Sequence, residues 1–300
     1  DVCSSDLGHE VKIYDDFSNG LERRCSGRFS DVVKGNILDY EFLKKQMQGQ
    51  EIVVHLAAKK AVGESVDRPD YYYENNVKGS KNVINAMVAN RINKIIFSST
   101  AAVYKEKING FIKEDDLIEP SSPYGSNKFE TENYLTEIAK DEKLEAITLR
   151  YFNVVGCLDY LLADNSKENL IPKIFNAIGR KMSPEIYGAD YPTSDGTCVR
   201  DYVHINDLVS AHLHLLDFFK KSQNLIFNVG SGKGYSVNEI INEIKLVTNL
   251  DLKPQISARR SGDVAILVAS IDKLKKCTGW FPQESLRAMI ESAWKGWKEN

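Results

Sequence analysis

The stretch I-I-F-S-S-T-A-A-V-Y at 95–104, followed by S-P-Y-G-S-N-K at 122–128, decides how this chain reads. Ile95, Ile96 and Phe97 form a short apolar run of the kind that makes a buried strand. Ser98, Ser99 and Thr100 then place hydroxyls at the strand's carboxyl end, where open α/β sheets bind their ligands. Pro123 opens a long helical pattern that carries Tyr124 and Lys128. A spacing of four sets the phenol and the ammonium on one helix face. A cation beside a phenol favours the phenolate, so Lys128 is expected to lower the Tyr124 pKa towards the range of a general base. A Y-x-x-x-K pair alone occurs on many helices by chance. Behind a strand ending in S-S-T it becomes a specific proton-abstraction site.

Working outward, G-H-E-V-K-I-Y-D-D at 8–16 reads as a turn and a strand ending in Asp15. An acidic residue at the second strand end of a dinucleotide fold bonds the adenosine ribose of NAD. It follows a Gly-rich turn by about 20 residues, yet Gly8 is the one glycine before Asp15. The first strand and the phosphate-cradling loop are therefore expected to be missing. The opening D-V-C-S-S-D-L has no helical stripe and is expected to be an assembly artefact joined to a truncated gene. Short strands are expected at 32–37 and 52–56. Ala57 and Ala58 follow the second, small enough for a cofactor to approach the backbone. A long helix is expected over 69–90, a helix from 124 to about 139, and a strand at 146–151. This alternation indicates a doubly wound parallel sheet of the α/β class. Beyond it lie an irregular loop at 157–168, a helix at 170–178, a short strand at 185–188 and a helix over 204–219. A strand at 226–229, a helix over 236–247 and an amphipathic helix through Trp297 complete the pattern.

The whole-chain numbers fit this reading. Three hundred residues suit one large α/β domain or two joined lobes. A formal charge of −3 points away from nucleic acid or an anionic membrane as main partner. No apolar run reaches the length of a membrane-spanning helix. Cysteines 3, 25, 157, 198 and 277 are scattered without a C-x-x-C pair, which fits free thiols and a cytoplasmic setting. His212 and His214 do not share a helix face, so no metal site is expected.

The Thr100–Tyr124–Lys128 set resembles the catalytic triad of the extended short-chain dehydrogenase/reductases. Five motifs narrow the resemblance: H-L-A-A-K-K-A-V-G-E-S (55–65), S-P-Y-G-S-N-K, R-Y-F-N (150–153), D-Y-P-T-S-D-G-T-C-V-R-D-Y-V-H (190–204) and R-R-S-G-D (259–263). Together they resemble the UDP-glucose 4-epimerase family over residues 8–300. That resemblance implies a Rossmann-like NAD-binding domain at 1–153 lacking its first strand and phosphate loop. A smaller UDP-sugar lobe would follow at 154–300, with 201–229 returning to the first domain. It implies Tyr124 as the base for the sugar O4 proton, Thr100 as its hydrogen-bonding partner and Lys128 on the nicotinamide ribose. NAD would be held by Asp15, Asn36, Ile37, Leu56, Ala57, Ala58, Lys60, Asn75 and Phe152 besides Tyr124 and Lys128. The UDP-hexose would be held by Thr100, Asn153, Asn169, Tyr187, Arg200, Arg260 and Asp263. The implied reaction interconverts UDP-glucose and UDP-galactose through a 4-keto sugar.

The chain departs from the family pattern at Thr100 (more often serine), at Val103-Tyr104-Lys105 and at N-V-V-G-C-L (153–158). Leu267 stands where relatives gate N-acetylated sugars, which leaves a UDP-N-acetylhexosamine 4-epimerase as an alternative. A 4,6-dehydratase is disfavoured because Ala101-Ala102 replace the acidic pair that reaction needs. A catalytically impaired nucleotide-sugar-binding fragment, unstable and weak for NAD, is the reading that the missing loop suggests. The family also implies a homodimer through 69–90 and 124–139, with Tyr134, Leu135 and Ile138 as interface or core.

Overall fold

The computed structural model describes residues 8–25, 29, 31–105, 110–164, 166, 168–219, 224–260 and 263–299. The expectation about residues 1–7 and Cys3 lies outside these. In chain order the first elements are β1 (Lys12–Asp15), β2 (Asp31–Lys34), α1 (Tyr40–Gln46), β3 (Ile52–His55), α2 (Val62–Asp67), α3 (Pro69–Tyr73) and α4 (Gly79–Ala89). Next come β4 (Lys94–Thr100), α5 (Pro123–Asp141), β5 (Glu145–Tyr151), β6 (Asn153–Val155), α6 (Leu170–Gly179), β7 (Glu185–Tyr187), β8 (Val199–His204) and α7 (Ile205–Leu216). The last are β9 (Asn224–Val229), β10 (Gly234–Ser236), α8 (Val237–Thr248), β11 (Gln255–Ser257), β12 (Ile266–Leu267), α9 (Asp272–Thr278) and α10 (Leu286–Glu299).

Two compact units each take about half of the chain: 1–103, 120–150 and 212–227 form one, and 104–119, 151–211 and 228–300 the other. The first has the parallel α/β build expected of a dinucleotide fold. Its strands run in two pieces, β1–β2 and β3–β4–β5–β9, with parallel pairing in β1–β2 and β3–β4. Ile95, Ile96 and Phe97 are fully buried, as a continuous apolar run in a parallel strand should be. Leu135, Ile84, Met87 and Leu43 pack in the same core, with Tyr134 and Ile138 against it. That packing makes the 134–138 stripe core rather than a free interface.

The expected helix over 69–90 is divided by a π-helical turn at Glu74–Lys78 between α3 and α4. Nothing in the apolar periodicity marks that change of winding. Helix α5 starts where its residues dictate: the Ser122 hydroxyl accepts the Gly125 N–H at 3.2 Å and Pro123 occupies the first turn. Gly125 is required by a close approach, since a Cβ there would lie 2.4 Å from the Ala102 carbonyl oxygen. The glycine thus lets the start of α5 sit against the end of β4.

The second unit centres on β8, which pairs with β6, β10 and β12, while β11 pairs with β7. Sequence reading left β6, β8, β10 and β12 in loops, because strands of two to six residues carry too little alternation to stand out. Helices α6, α8 and α10 supply Phe175, Ile240, Ile244 and Met289 to its core. A capping box between Ser236 and Glu239 starts α8.

Candidate active site

Strand β4 delivers Thr100, and α5 delivers Tyr124 and Lys128. The Thr100 side chain stands beside the Tyr124 phenol and favours its phenolate. The Thr100 oxygen also accepts the Ala102 N–H at 3.2 Å, which fixes its rotamer. Lys128 is buried; its ammonium donates to the Ser98 carbonyl at 2.8 Å and lies 5.0 Å from the Phe97 ring centroid. Burial pushes the lysine down to about 8, while the Glu132 carboxylate pulls it back up. The Tyr124 phenol is raised rather than lowered, because burial penalises the phenolate more than the Thr100 hydrogen bond favours it. This corrects the expectation that Lys128 brings the phenol near neutrality: its ammonium is committed to Ser98, and desolvation wins. Behind the lysine, His55 donates to or accepts from Ser80 at 2.8 Å and is driven to about 3 by burial and the Lys128 charge.

A cleft of about 190 Å³ opens at the ends of β1, β2 and β3. Of the residues expected at the cofactor, Asp15, Ile37, Leu56, Ala57, Ala58 and Asn75 line it together. A carboxylate at a strand end, small side chains after β3 and apolar flanks are the chemistry that an adenine ribonucleoside needs. The residues present therefore fit the adenosine half of a dinucleotide. Asn36 and Lys60 stand outside the lining. Asn36 spends its side chain on the Leu38 N–H at 2.8 Å and the Asp16 carboxylate at 3.2 Å. In place of Lys60 the structure puts Lys59 in the cleft, with its ammonium 2.6 Å from the Ser18 hydroxyl. Two adjacent lysines in an irregular turn after β3 give no sign in sequence of which one turns inward. Asn76 fixes this turn by bonding both the N–H and the carbonyl of Lys59, each at 2.8 Å.

Apart from Thr100, the residues expected at the sugar nucleotide fall in the second unit. Arg200 on β8 faces Asp263 at 3.5 Å. The Arg260 guanidinium stacks 3.7 Å over the Tyr187 ring, and Tyr187 donates to Glu185. Asn153 donates to the Asp201 carbonyl at 3.1 Å. Asn169 caps α6 and bonds Asp164 at 2.6 Å, apart from that pairing. Phe152 is buried, its N–H donating to Val229. Asp201 escaped the sequence reading. Its fully buried carboxylate accepts from the Ser231 hydroxyl and from the N–H groups of Ser231, Gly232 and Ala269 at 2.6–3.1 Å. Among the described residues no cluster of three or more His, Cys, Asp or Glu could hold a metal, and no helix is long and apolar enough to cross a membrane.

Residues 4–230 match the NAD dependent epimerase/dehydratase family. The chain belongs to that family. Within it, the chain is 39% identical over 303 residues to a UDP-glucose 4-epimerase of Halalkalibacterium halodurans, covering 98% of this chain and 90% of the relative. It is 38% identical over 290 residues to one from Corynebacterium glutamicum, covering 96% and 88%. A crystal structure of UDP-glucose 4-epimerase from Stenotrophomonas maltophila, with bound NAD and formylated UDP-arabinopyranose, superimposes with a TM-score of 0.94 at 32% identity, covering 99% of this chain and 93% of that one. Epimerase family membership thus rests on sequence and fold alike.

Proposed function

We propose that this chain interconverts UDP-glucose and UDP-galactose by inverting C4 with NAD. The observation that carries the reading is Thr100 at the end of β4 beside Tyr124, with buried Lys128 one turn along α5, in a chain so similar to enzymes of that name. Tyr124 takes the O4 proton while the Thr100 hydroxyl holds the same oxygen. Lys128 supplies the protein's positive charge beside the phenol. Asp15, Ile37, Leu56, Ala57, Ala58 and Asn75 would hold the adenosine half of the cofactor. Bound NAD would supply the hydride acceptor for C4 and, when oxidised, a positive charge opposing the burial that raises Tyr124. Loss of both proton and hydride leaves a 4-keto sugar; once that sugar turns in the pocket, hydride returns to the opposite face of C4 and the proton to O4, which inverts C4.

Arg200 and Arg260 belong to the same proposal as grips on the UDP phosphates, with Asp263, Tyr187, Asn153 and Asn169 around the sugar nucleotide. Arginine's planar fork suits phosphate oxygens. Asn36, Lys60 and Phe152 complete the proposed cofactor set. A cytoplasmic setting fits the free thiols of Cys25, Cys157, Cys198 and Cys277. A homodimer through 69–90 and 124–139 would cover Tyr71 and Tyr73, each 38% exposed.

The test is to denature the purified chain, quantify the NAD released per subunit, and follow UDP-galactose conversion on the untreated sample. About one NAD per subunit and UDP-glucose formation are expected. Full NAD content with no conversion under any condition would overturn the reading.

A further inference from the structure

Glu132 lies on α5 one and two turns beyond Lys128 and Tyr124, and it is buried to 3% exposure. Its carboxylate is held from two strands at once. Ser99 on β4 donates to one oxygen. Arg150 on β5 donates its Nε to that same oxygen at 3.1 Å and its Nη2 to the other at 2.6 Å. Arg150 is itself 2% exposed. The titratable groups around Lys128 are neutral His55 from β3, the neutral Tyr124 phenol and the Glu132 carboxylate from its own helix, and Arg150 behind Glu132. Lys128 and Arg150 are two buried cations, and Glu132 is the carboxylate that faces both.

The placement matters because of what stands next to it. Ser98 receives Lys128 and Ser99 binds Glu132, and the next residue, Thr100, stands beside Tyr124. Two consecutive residues of β4 are thus tied to α5 directly before Thr100. The Ser99 tie is the one that also reaches β5. A shift of about 1 Å at such a site can cost on the order of a hundredfold in rate.

We propose that Glu132 is a positioning residue of the reaction: by binding Ser99 and Arg150 together it fixes the spacing on which the Thr100–Tyr124 contact depends, and it balances the charge of Lys128. This rests on the epimerase reading above. Glu132→Gln keeps the shape and removes the charge. In that variant kcat falls about ten- to a hundredfold with KM for UDP-galactose unchanged, and the alkaline limb of the kcat–pH profile moves to lower pH. The Lys128 ammonium, followed by NMR of 13C-labelled lysines and identified by its loss in Lys128→Met, titrates below the wild-type value of about 8. Glu132→Asp restores part of that titration shift. Ser99→Ala keeps both charges, so its lysine titration stays put while kcat drops several-fold. An unshifted lysine in Glu132→Gln overturns the proposal. If Glu132→Gln does not fold, Ser99→Ala decides it: wild-type kcat in that variant overturns the proposal. The lysine titration needs no substrate, so an inactive wild type breaks the epimerase reading without disturbing this measurement.

Discussion

The two units treat charge in opposite ways. The first sinks Lys128, Glu132 and Arg150 beneath the end of β4, each at 3% exposure or less, and neutralises them against one another. The second leaves Arg259, Arg260 and Asp263 open to solvent, with Arg260 lying on a tyrosine ring and Arg200 in a long 3.5 Å pairing. Buried charges are costly unless fully bonded, and once bonded they are fixed in place. Half-open arginines are cheap to leave unpaired and ready for an anion. The contrast suits the proposed function, in which the first unit holds the reacting groups still and the second grips and releases a diphosphate.

Four substitutions can break or sharpen that contrast. The largest effect is expected for Tyr124→Phe, which removes the proton acceptor and should lower kcat by roughly 10²–10⁴, read by UDP-galactose turnover with NAD content unchanged. Arg150→Ala leaves Glu132 buried without its main partner and should cost about 3–5 kcal/mol of stability, measured by urea melts. Arg200→Ala in the other unit should leave stability within about 0.5 kcal/mol yet weaken UDP binding roughly ten- to a hundredfold, read by calorimetry. A stability loss as large as that of Arg150→Ala would erase the contrast.

The smallest effect concerns Asp201, the buried acid of the second unit, raised by burial from 3.8 to about 6 against the hydrogen bonds it accepts. A raised carboxyl binds its proton more tightly in the folded chain than in the unfolded one. Its contribution is therefore full below the unfolded value and lost as pH rises through about 6. Relative to Asp201→Asn, the wild-type chain should lose stability between these two values, in melts run across that window. A flat difference would mean that the four donors hold the carboxylate ionised throughout.

Much of the first unit was legible because its elements advertise themselves. Ile95, Ile96 and Phe97 make an unbroken apolar run, and Ser122-Pro123 is a helix start in two residues. What escaped depends on distant partners. Helix α5 carries Glu130, Glu132 and Glu137; the spacing of four from Lys128 puts Glu132 on the buried face, but nothing local shows that Arg150 is its partner. The Tyr124 pKa went the other way because spacing reports proximity to a cation but not desolvation. In the second unit β8 was invisible, since its hydrogen bonds go to three short strands spread over more than a hundred residues. Asp201 gained its importance from those same remote N–H groups.

The π-helical turn at Glu74–Lys78 has a consequence of another kind. It takes up one residue more than an α-helical turn would, and its Asn76 is what clasps the Lys59 backbone behind the cleft. The clasp needs both the wider turn and the Asn76 amide, whose oxygen and nitrogen are each committed to Lys59. In a mutational library of residues 69–89, many surface substitutions should survive while those at Asn76 should not. Deleting a single residue within Glu74–Lys78 would rewind the helix to its regular pitch and draw Asn76 away from Lys59, so such deletions should be purged along with the Asn76 substitutions.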